Sequence, residues 1–442
     1  MRIAVIGTGY LGSTHAACMA SLGHEVIGVD DDESKLNSLR SGVVPFYEPS
    51  LDQLTQKLVG EGRLRFTSSY EEAAAFADAF FITVGTPQRS GSLAADTSAV
   101  DSVIERLVPL IERDAVILGK STVPVGTAAG LRRRVRELAT MGVSVELVWN
   151  PEFLREGHAI EDTLRPDRLV LGIAEGDVRG ESVARQIYAQ ILEDGIPMLV
   201  MDLSTAELAK TAANSFLATK ISFINAMAEM CEAAGADVVQ LADAIGCDPR
   251  IGRSFLNAGL GFGGGCLPKD IRGLMARAGE LGALKLMSFL SQVDSINLSC
   301  RTRMVDLVHE TCGEIRDTRI AVLGAAFKPE TDDVRDSPAL HVAALLQNSG
   351  ATVAVYDPEA AENSRRMFPR LDYCDSVEQA CDAADLVLVL TEWKEFRDID
   401  PFGLAHVVRQ RRVIDGRNCL DSRSWRGAGW IYRAYGCSEE AV

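Results

Sequence analysis

One strand-and-helix pattern occurs twice in this chain, on either side of a long stretch that contains neither Gly nor Pro. Ile3-Ala-Val-Ile-Gly7 is echoed by Ile320-Ala-Val-Leu-Gly324, and Val26-Ile-Gly-Val-Asp30 by Val353-Ala-Val-Tyr-Asp357. Residues 77–83 are echoed by 384–390, and Arg412-Val-Ile-Asp415 supplies another strand end. Short apolar runs closed by Gly or Asp read as buried strands. In the first copy a strand is predicted over 2–7, a helix over 10–22 and a strand over 25–29. Further strands are predicted at 79–84, 115–118, 145–148 and 169–171, with helices such as 98–111 between them. Strands alternating with helices form a parallel, doubly wound α/β sheet. The Ala-rich stretch 202–235 reads as one long helix, with Ser204 as N-cap and Gly235 as stop. Helix is also predicted over 236–245 and over 271–281, with helical character continuing to 308.

Gly7-Thr-Gly-Tyr-Leu-Gly12 follows the first strand and opens a helix. Its glycines permit a tight turn and bring backbone N–H groups, through Gly9, Tyr10 and Leu11, against a pyrophosphate at the helix N-terminus. Asp30 ends the next strand 23 residues after Gly7, where a carboxylate grips ribose hydroxyls. Asp31, Asp32 and Glu33 would repel a 2′-phosphate, so the expected cofactor is NAD rather than NADP. The second copy has Gly324-Ala-Ala-Phe-Lys at this place and is not expected to bind a dinucleotide. The predicted architecture is therefore α/β, in three parts. They are an N-terminal Rossmann domain over 1–201, an all-α central domain over 202–305 and a C-terminal Rossmann-like domain over 306–442. A chain of 442 residues is long enough for two or three such cores.

Composition removes several functions. With 45 basic and 62 acidic residues the formal charge is −17, which argues against nucleic-acid binding. An anionic ligand must then be held by local donors, which screening over about 8 Å permits. No apolar run of about 18 residues suggests a membrane span, and a strand starting at Arg2 leaves no room for a signal peptide. Ten cysteines without CxxC pairs and six histidines without metal-ligand spacing point to a reduced cytoplasm and to no metal.

The chemistry centres on Gly259-Leu-Gly-Phe-Gly-Gly-Gly-Cys-Leu-Pro-Lys-Asp270. Five of the seven residues before Cys266 are glycine, so backbone can approach a ligand closely. Pro268 suits a first helical turn, and a thiol at a helix start beside Lys269 ionises more readily than an isolated one. Asp270 stands four residues on, where it can orient or deprotonate a partner group. A small buried hydrophobe is the ordinary reading of a lone cysteine, and it serves for the other nine. Glu207, Lys210 and Asn214 share one face of the long helix, where Lys and Asn can donate to an oxyanion. Glu152 and Glu156 in Asn150-Pro-Glu-Phe-Leu-Arg-Glu-Gly157 are spaced to share one face of a helical turn and do acid–base work, or to form a solvated charged turn. Val84-Gly-Thr-Pro87 and Lys120-Ser-Thr-Val-Pro124 follow strands, where ligands bind, although Thr and Pro also simply shape turns. Arg250, Lys328 and Arg335 are candidate phosphate clamps.

These pieces, in this order, resemble the nucleotide-sugar 6-dehydrogenases of the UDP-glucose/GDP-mannose dehydrogenase family. The motifs are GTGYLG at 7–12, VGTP at 84–87, STVPVGT at 121–127, NPEFLREG at 150–157 and AELAKTAANSFLATKISFIN at 206–225. DPRIG at 248–252, GFGGGCLPKD at 261–270, AFKPETDDVRDSP at 326–338 and DGRN at 415–418 complete the set. The resemblance implies four-electron oxidation of a sugar CH2OH to a carboxylate with two NAD, UDP-glucose giving UDP-glucuronate. It makes Cys266 the nucleophile that holds the aldehyde as a thiohemiacetal and then a thioester. Lys210 and Asn214 match the oxyanion pair, Asp270 the acid working with a water, and Thr122 a threonine that positions water. Glu152 and Glu156 match loop acids, one of which assists thioester hydrolysis. Asp30, Lys35, Thr86, Thr122, Glu156, Lys269 and Arg335 match cofactor contacts. Glu152, Phe153, Leu154, Arg155, Glu156, Lys210, Asn214, Phe255, Leu256, Asn257, Ala258, Gly259, Gly263, Lys328 and Arg417 match substrate contacts. Arg250 matches an arginine donated across a homodimer interface built on the long helix, and such dimers can assemble further.

The loop departs from many relatives in reading GGGC for GGSC, and Asn257 stands where animal relatives have Lys. Three alternatives remain open to the sequence. One is the same chemistry on dTDP-glucose, GDP-mannose or a UDP-N-acetylhexosamine. Another is a two-electron enzyme that stops at the aldehyde. The third is a non-catalytic NAD and sugar-nucleotide sensor, against which Cys266, Lys210, Asn214 and Asp270 together argue.

Overall fold

The structure, a computed structural model, describes residues 1–437, so the last five residues of the expected 306–442 domain lie outside it. The chain forms two compact units, one of Met1–Ala213 with Ala276–Gly282, the other of Asn214–Met275 with residues from Ala283 onward.

Eight strands build the sheet of the first unit: β1 (Arg2–Ile6), β2 (Glu25–Val29), β3 (Leu64–Thr67), β4 (Ala79–Ile82), β5 (Ala115–Gly119), β6 (Val145–Trp149), β7 (Leu169–Ile173) and β8 (Met198–Asp202). Their order is β3-β2-β1-β4-β5-β6-β7-β8, with β6 and β7 antiparallel and every other pair parallel. Both faces of the sheet are covered. Ala4 and Ile6 enter one buried cluster while Ile3 and Val5 enter another, as the two-residue period of a strand requires. Strand order reverses between β1 and β4, which opens the crevice where such sheets bind ligands.

The second unit has six parallel strands: β9 (Arg319–Leu323), β10 (Thr352–Tyr356), β11 (Asp372–Tyr373), β12 (Leu386–Val389), β13 (Arg412–Asp415) and β14 (Ile431–Ala434). They lie in the order β11-β10-β9-β12-β13-β14, the doubly wound pattern again. Here the counterpart of Asp30 is taken up by the protein itself. Asp357 is buried and accepts from the amides of Ala325 (2.7 Å) and Ala326 (2.9 Å) and from Trp393 Nε1 (3.1 Å).

Two local expectations are corrected and one is refined. The central helix runs Leu203–Ala234, and its cap is Asp202, not Ser204. Asp202 accepts from the Thr205 amide at 2.9 Å because β8 runs straight into the helix and leaves Asp202 as the last extended residue. The helix expected over 271–281 is found as Leu267–Glu280, starting earlier, and the helical stretch on to 308 resumes as Leu284–Cys312 after Gly282 takes φ +75°. Residues 151–155 are not helical, so Glu152 and Glu156 do not share a helix face.

Candidate active site

In the first unit the loop after β1 is built around absent side chains. A Cβ on Gly12 would sit 1.7 Å from the Gly7 carbonyl oxygen, and Gly7 itself has φ +97°. At Gly9 the same Cβ would meet nothing within 4 Å, so the surface above it is open. The helix Tyr10–Ser21 starts with no side-chain cap, which leaves its first amides for an anion. Asp30 closes β2 and is held by the Thr8 amide (2.8 Å), the Asp32 amide (3.1 Å) and Lys35 Nζ (2.9 Å). Burial alone would raise its pKa, but these donors outweigh it and pull the carboxyl below its ordinary value. Open backbone at Gly9 and an ionised acid at Asp30 fit the pyrophosphate and ribose of NAD.

The loops after β4, β5 and β6 supply the next layer. Thr86 Oγ1 donates to the Thr122 carbonyl at 2.6 Å, joining two expected cofactor residues. Glu152 pairs with Lys210 at 2.9 Å, with 9% and 5% of the side chains exposed. Lys210 is therefore no surface charge, and its ammonium also stands 5.6 Å from the Phe153 ring. Leu154 donates its amide to Glu152, Arg155 pairs with Asp162 at 2.7 Å, and Glu156 is buried. Lys120 donates to Asn150 Oδ1 (3.1 Å), which Tyr188 also contacts (2.7 Å). Burial pushes the Lys120 pKa down to about 8, with Glu152 pulling it back and Lys210 repelling it.

In the second unit Cys266 is exposed and immediately precedes its helix, its carbonyl accepting from the Asp270 amide at 3.0 Å. Asp270 is buried and receives Asn214 Nδ2 (2.7 Å) on one oxygen and Lys269 Nζ (2.6 Å) on the other. Asp333 accepts from the Gly265 amide (3.2 Å) and pairs with Arg335 (2.7 Å), while Gly264 donates to the Arg335 carbonyl (2.8 Å). A Cβ on Gly265 would lie 2.1 Å from Arg335 Cζ, so the guanidinium occupies the place a serine would take in a GGSC loop.

The segment 255–259 is shaped by Phe255 at φ +65°, by Arg253 donating to Asn257 (2.7 Å) and by Gly259 donating to Asn225 Oδ1 (2.8 Å). Leu256 and Ala258 are buried. Arg417 reaches the carbonyls of Leu390 (2.8 Å), Phe327 (3.2 Å) and Gly261 (3.3 Å), and Gly263 packs on Asp336 and Pro338. Lys328 lies 5.6 Å from the Phe327 ring. Arg250 stands apart from these groups, 88% exposed and paired with Asp248 at 2.6 Å.

Residues 1–192, 204–299 and 321–422 match, respectively, the NAD binding, central and UDP binding domains of the UDP-glucose/GDP-mannose dehydrogenase family. The chain belongs to that family. It is 41% identical to UDP-glucose 6-dehydrogenase of Rhizobium meliloti (strain 1021), covering 99% of both chains, and 39% identical to that of Rickettsia felis, covering 100% of this chain and 98% of the relative. Among solved structures it superposes on a UDP-glucose dehydrogenase from Pyrobaculum islandicum with a TM-score of 0.90 at 38% identity, over 99% and 98% of the chains. It superposes on a UDP-D-ManNAc dehydrogenase from Pyrococcus horikoshii with 0.86 at 27% identity, over 100% of both.

Several residues that shape this family member's site escaped the sequence reading. Glu48 accepts from the amides of Gly157 (2.7 Å) and Ala159 (2.8 Å) and so pins the Glu152–Glu156 loop. Asp333 anchors the cysteine loop, and Lys220 holds the Arg250–Gly252 turn through the carbonyls of Ile251 (3.0 Å) and Gly252 (3.1 Å). Glu48 and Asp333 are buried, and burial is a tertiary property.

Proposed function

We propose that this dehydrogenase oxidises the sugar CH2OH of UDP-glucose to the carboxylate of UDP-glucuronate. The observation that carries the reading is the hydrogen-bonded set of Asn214, Asp270 and Lys269 in the first turn after Cys266. NAD, held on Gly7–Gly12, Asp30 and Lys35, supplies the hydride acceptor for both oxidations.

The chain's own groups handle protons, charge and the captured carbon. Loss of the first hydride is aided by removal of the alcohol proton to a water ordered by Asp270. Cys266 Sγ then adds to the aldehyde carbon, forming a C–S bond and an oxyanion. One Asn214 N–H is taken by Asp270, which leaves the second for that oxygen, and the family resemblance makes Lys210 its partner in that role. Loss of the second hydride gives a thioester. Water adds to it, the C–S bond breaks, and thiol and carboxylate are released with Glu152 or Glu156 as base. Covalent retention keeps the aldehyde from escaping. Thr86, Thr122, Glu156, Lys269 and Arg335 are read as cofactor contacts. Phe153–Arg155, Phe255–Gly259, Gly263, Lys328 and Arg417 are read as substrate contacts.

The three-part division at 201/202 and 305/306 is supported by the gaps between the matched family domains. A homodimer on the central helix, with Arg250 offered to the partner's site, is supported by Phe216, Phe223 and Met230. These residues are exposed at seven-residue intervals along one face. No described helix is long and apolar enough to cross a membrane. A cytoplasmic setting is supported by ten cysteines that form no disulfide.

The test is NADH formed per sugar consumed. Two per UDP-glucose is expected; one would sink the full oxidation. No NADH from UDP-glucose, with turnover of dTDP-glucose, GDP-mannose or a UDP-N-acetylhexosamine, would sink the substrate. Cys266→Ser is expected to abolish carboxylate production, and unchanged production would remove the thioester step.

A further inference from the structure

The acidic run after β2 does more than repel a 2′-phosphate. Both oxygens of Asp31 receive Arg106 NH1, at 2.8 and 3.1 Å, across 75 residues of sequence. Arg106 stands on the helix Ser98–Leu107, and its guanidinium lies 4.0 Å over the Tyr70 ring, which fixes its plane. Tyr70 feels the charges of Arg106, Asp31 and Asp30 together, so this cluster adjoins the ribose-binding acid. The other cation there, Lys35, is paired with Asp30 at 2.9 Å. Each cation near the 2′-position is thus held by an acid of the run. Arg is also the side chain whose planar fork suits a phosphate.

We propose that Asp31 sets dinucleotide selectivity by sequestering Arg106, a guanidinium that would otherwise receive the 2′-phosphate of NADP. The inference rests on assigning the Gly7–Gly12 loop to a dinucleotide. It differs from simple repulsion because it requires the arginine: removing Asp31 has to create a phosphate site, not only delete a charge. Asp30, which would still face the ribose, is already engaged by Thr8, Asp32 and Lys35. The Asp31–Arg106 pair is exposed, 67% and 45% by side chain, so opening it leaves the fold intact.

The experiment measures dissociation constants of NADH and NADPH by nicotinamide fluorescence, with no turnover involved. It uses the full chain, Asp31→Ser, Arg106→Ala and the double variant, with thermal melts confirming that each is folded. Asp31→Ser is expected to tighten NADPH at least about tenfold while NADH changes less than about threefold. Adding Arg106→Ala should remove that gain, and raising salt from about 50 to 500 mM should shrink it. A gain that survives in the double variant, or no gain in Asp31→Ser, overturns the proposal. If the unaltered chain binds neither dinucleotide, the underlying dinucleotide reading falls, and the proposal with it.

Discussion

Glu207 should make stability fall as pH rises through neutrality, against the trend that acid denaturation gives most proteins. Its carboxylate, 2% exposed, accepts from the amides of Gly126 and Ala128, both at 2.6 Å. These amides open the helix Thr127–Leu138, so the central helix grips the loop that carries Thr122. Burial pushes the Glu207 pKa from 4.5 up to about 7, although the two amides and Arg277 pull the other way. Because the folded value is the higher one, the native state keeps a proton that the unfolded chain releases. The associated stability is complete below pH 4.5 and is lost as pH rises to 7. At about 1.36 kcal/mol per tenfold change in proton affinity, the full loss is about 3 kcal/mol, most of which falls between pH 5 and 8. Glu207→Gln keeps the shape and cannot titrate, but its –NH2 faces one of the two backbone N–H donors and so adds a pH-independent loss of about 1–3 kcal/mol. Urea denaturation of both proteins across pH 5 to 8, taken as a difference, cancels every other titrating group. The variant should be the less stable at pH 5, and its deficit should shrink by about 2–3 kcal/mol by pH 8. A flat difference, or one that widens with pH, refutes the reasoning.

Gly12→Ala places a methyl 1.7 Å from the Gly7 carbonyl oxygen and should prevent a stable first unit, whereas Gly9→Ala meets no protein atom and should fold normally yet bind NADH at least about tenfold more weakly; circular dichroism and fluorescence titration separate the two. Lys210→Met leaves the Glu152 carboxylate buried and unpaired, for an expected loss of about 3–5 kcal/mol, most of which Glu152→Gln in the same chain should restore. Equal denaturation midpoints for the single and double variants would contradict this. Phe223→Glu puts a charge in the exposed stripe of the central helix and should convert a dimer to a monomer in light scattering, while a dimer of unchanged mass would move the interface elsewhere.

The fold was legible wherever one rule governed a whole segment. Ile3-Ala-Val-Ile-Gly7 needs only burial on both faces and a turn, and β1 with the Gly7 bend follows. The failures sit where two rules compete. Asp202 and Ser204 are both good caps, and only the strand entering from Met198 decides between them. In the Glu152–Glu156 loop, spacing suggested a helix face, but Glu152 turns instead to Lys210 and to the Leu154 amide.

Charge shows the limit of sequence reasoning most clearly. A chain of net charge −17 has to hold an anionic ligand with local cations, and the sequence can name candidates only by their neighbours along the chain. Tertiary pairing decides which of them face an acid that balances their charge. Lys35 is matched by Asp30, Lys269 by Asp270, Arg155 by Asp162, Arg335 by Asp333 and Arg250 by Asp248. Lys220 instead donates to two carbonyl oxygens, and Arg417 to three, with Glu392 farther off at 3.4 Å. Carbonyl dipoles orient a cation without an opposing full charge, so Arg417, lying against the glycine loop that ends at Cys266, is aimed by three carbonyls and balanced by the Glu392 carboxylate at 3.4 Å.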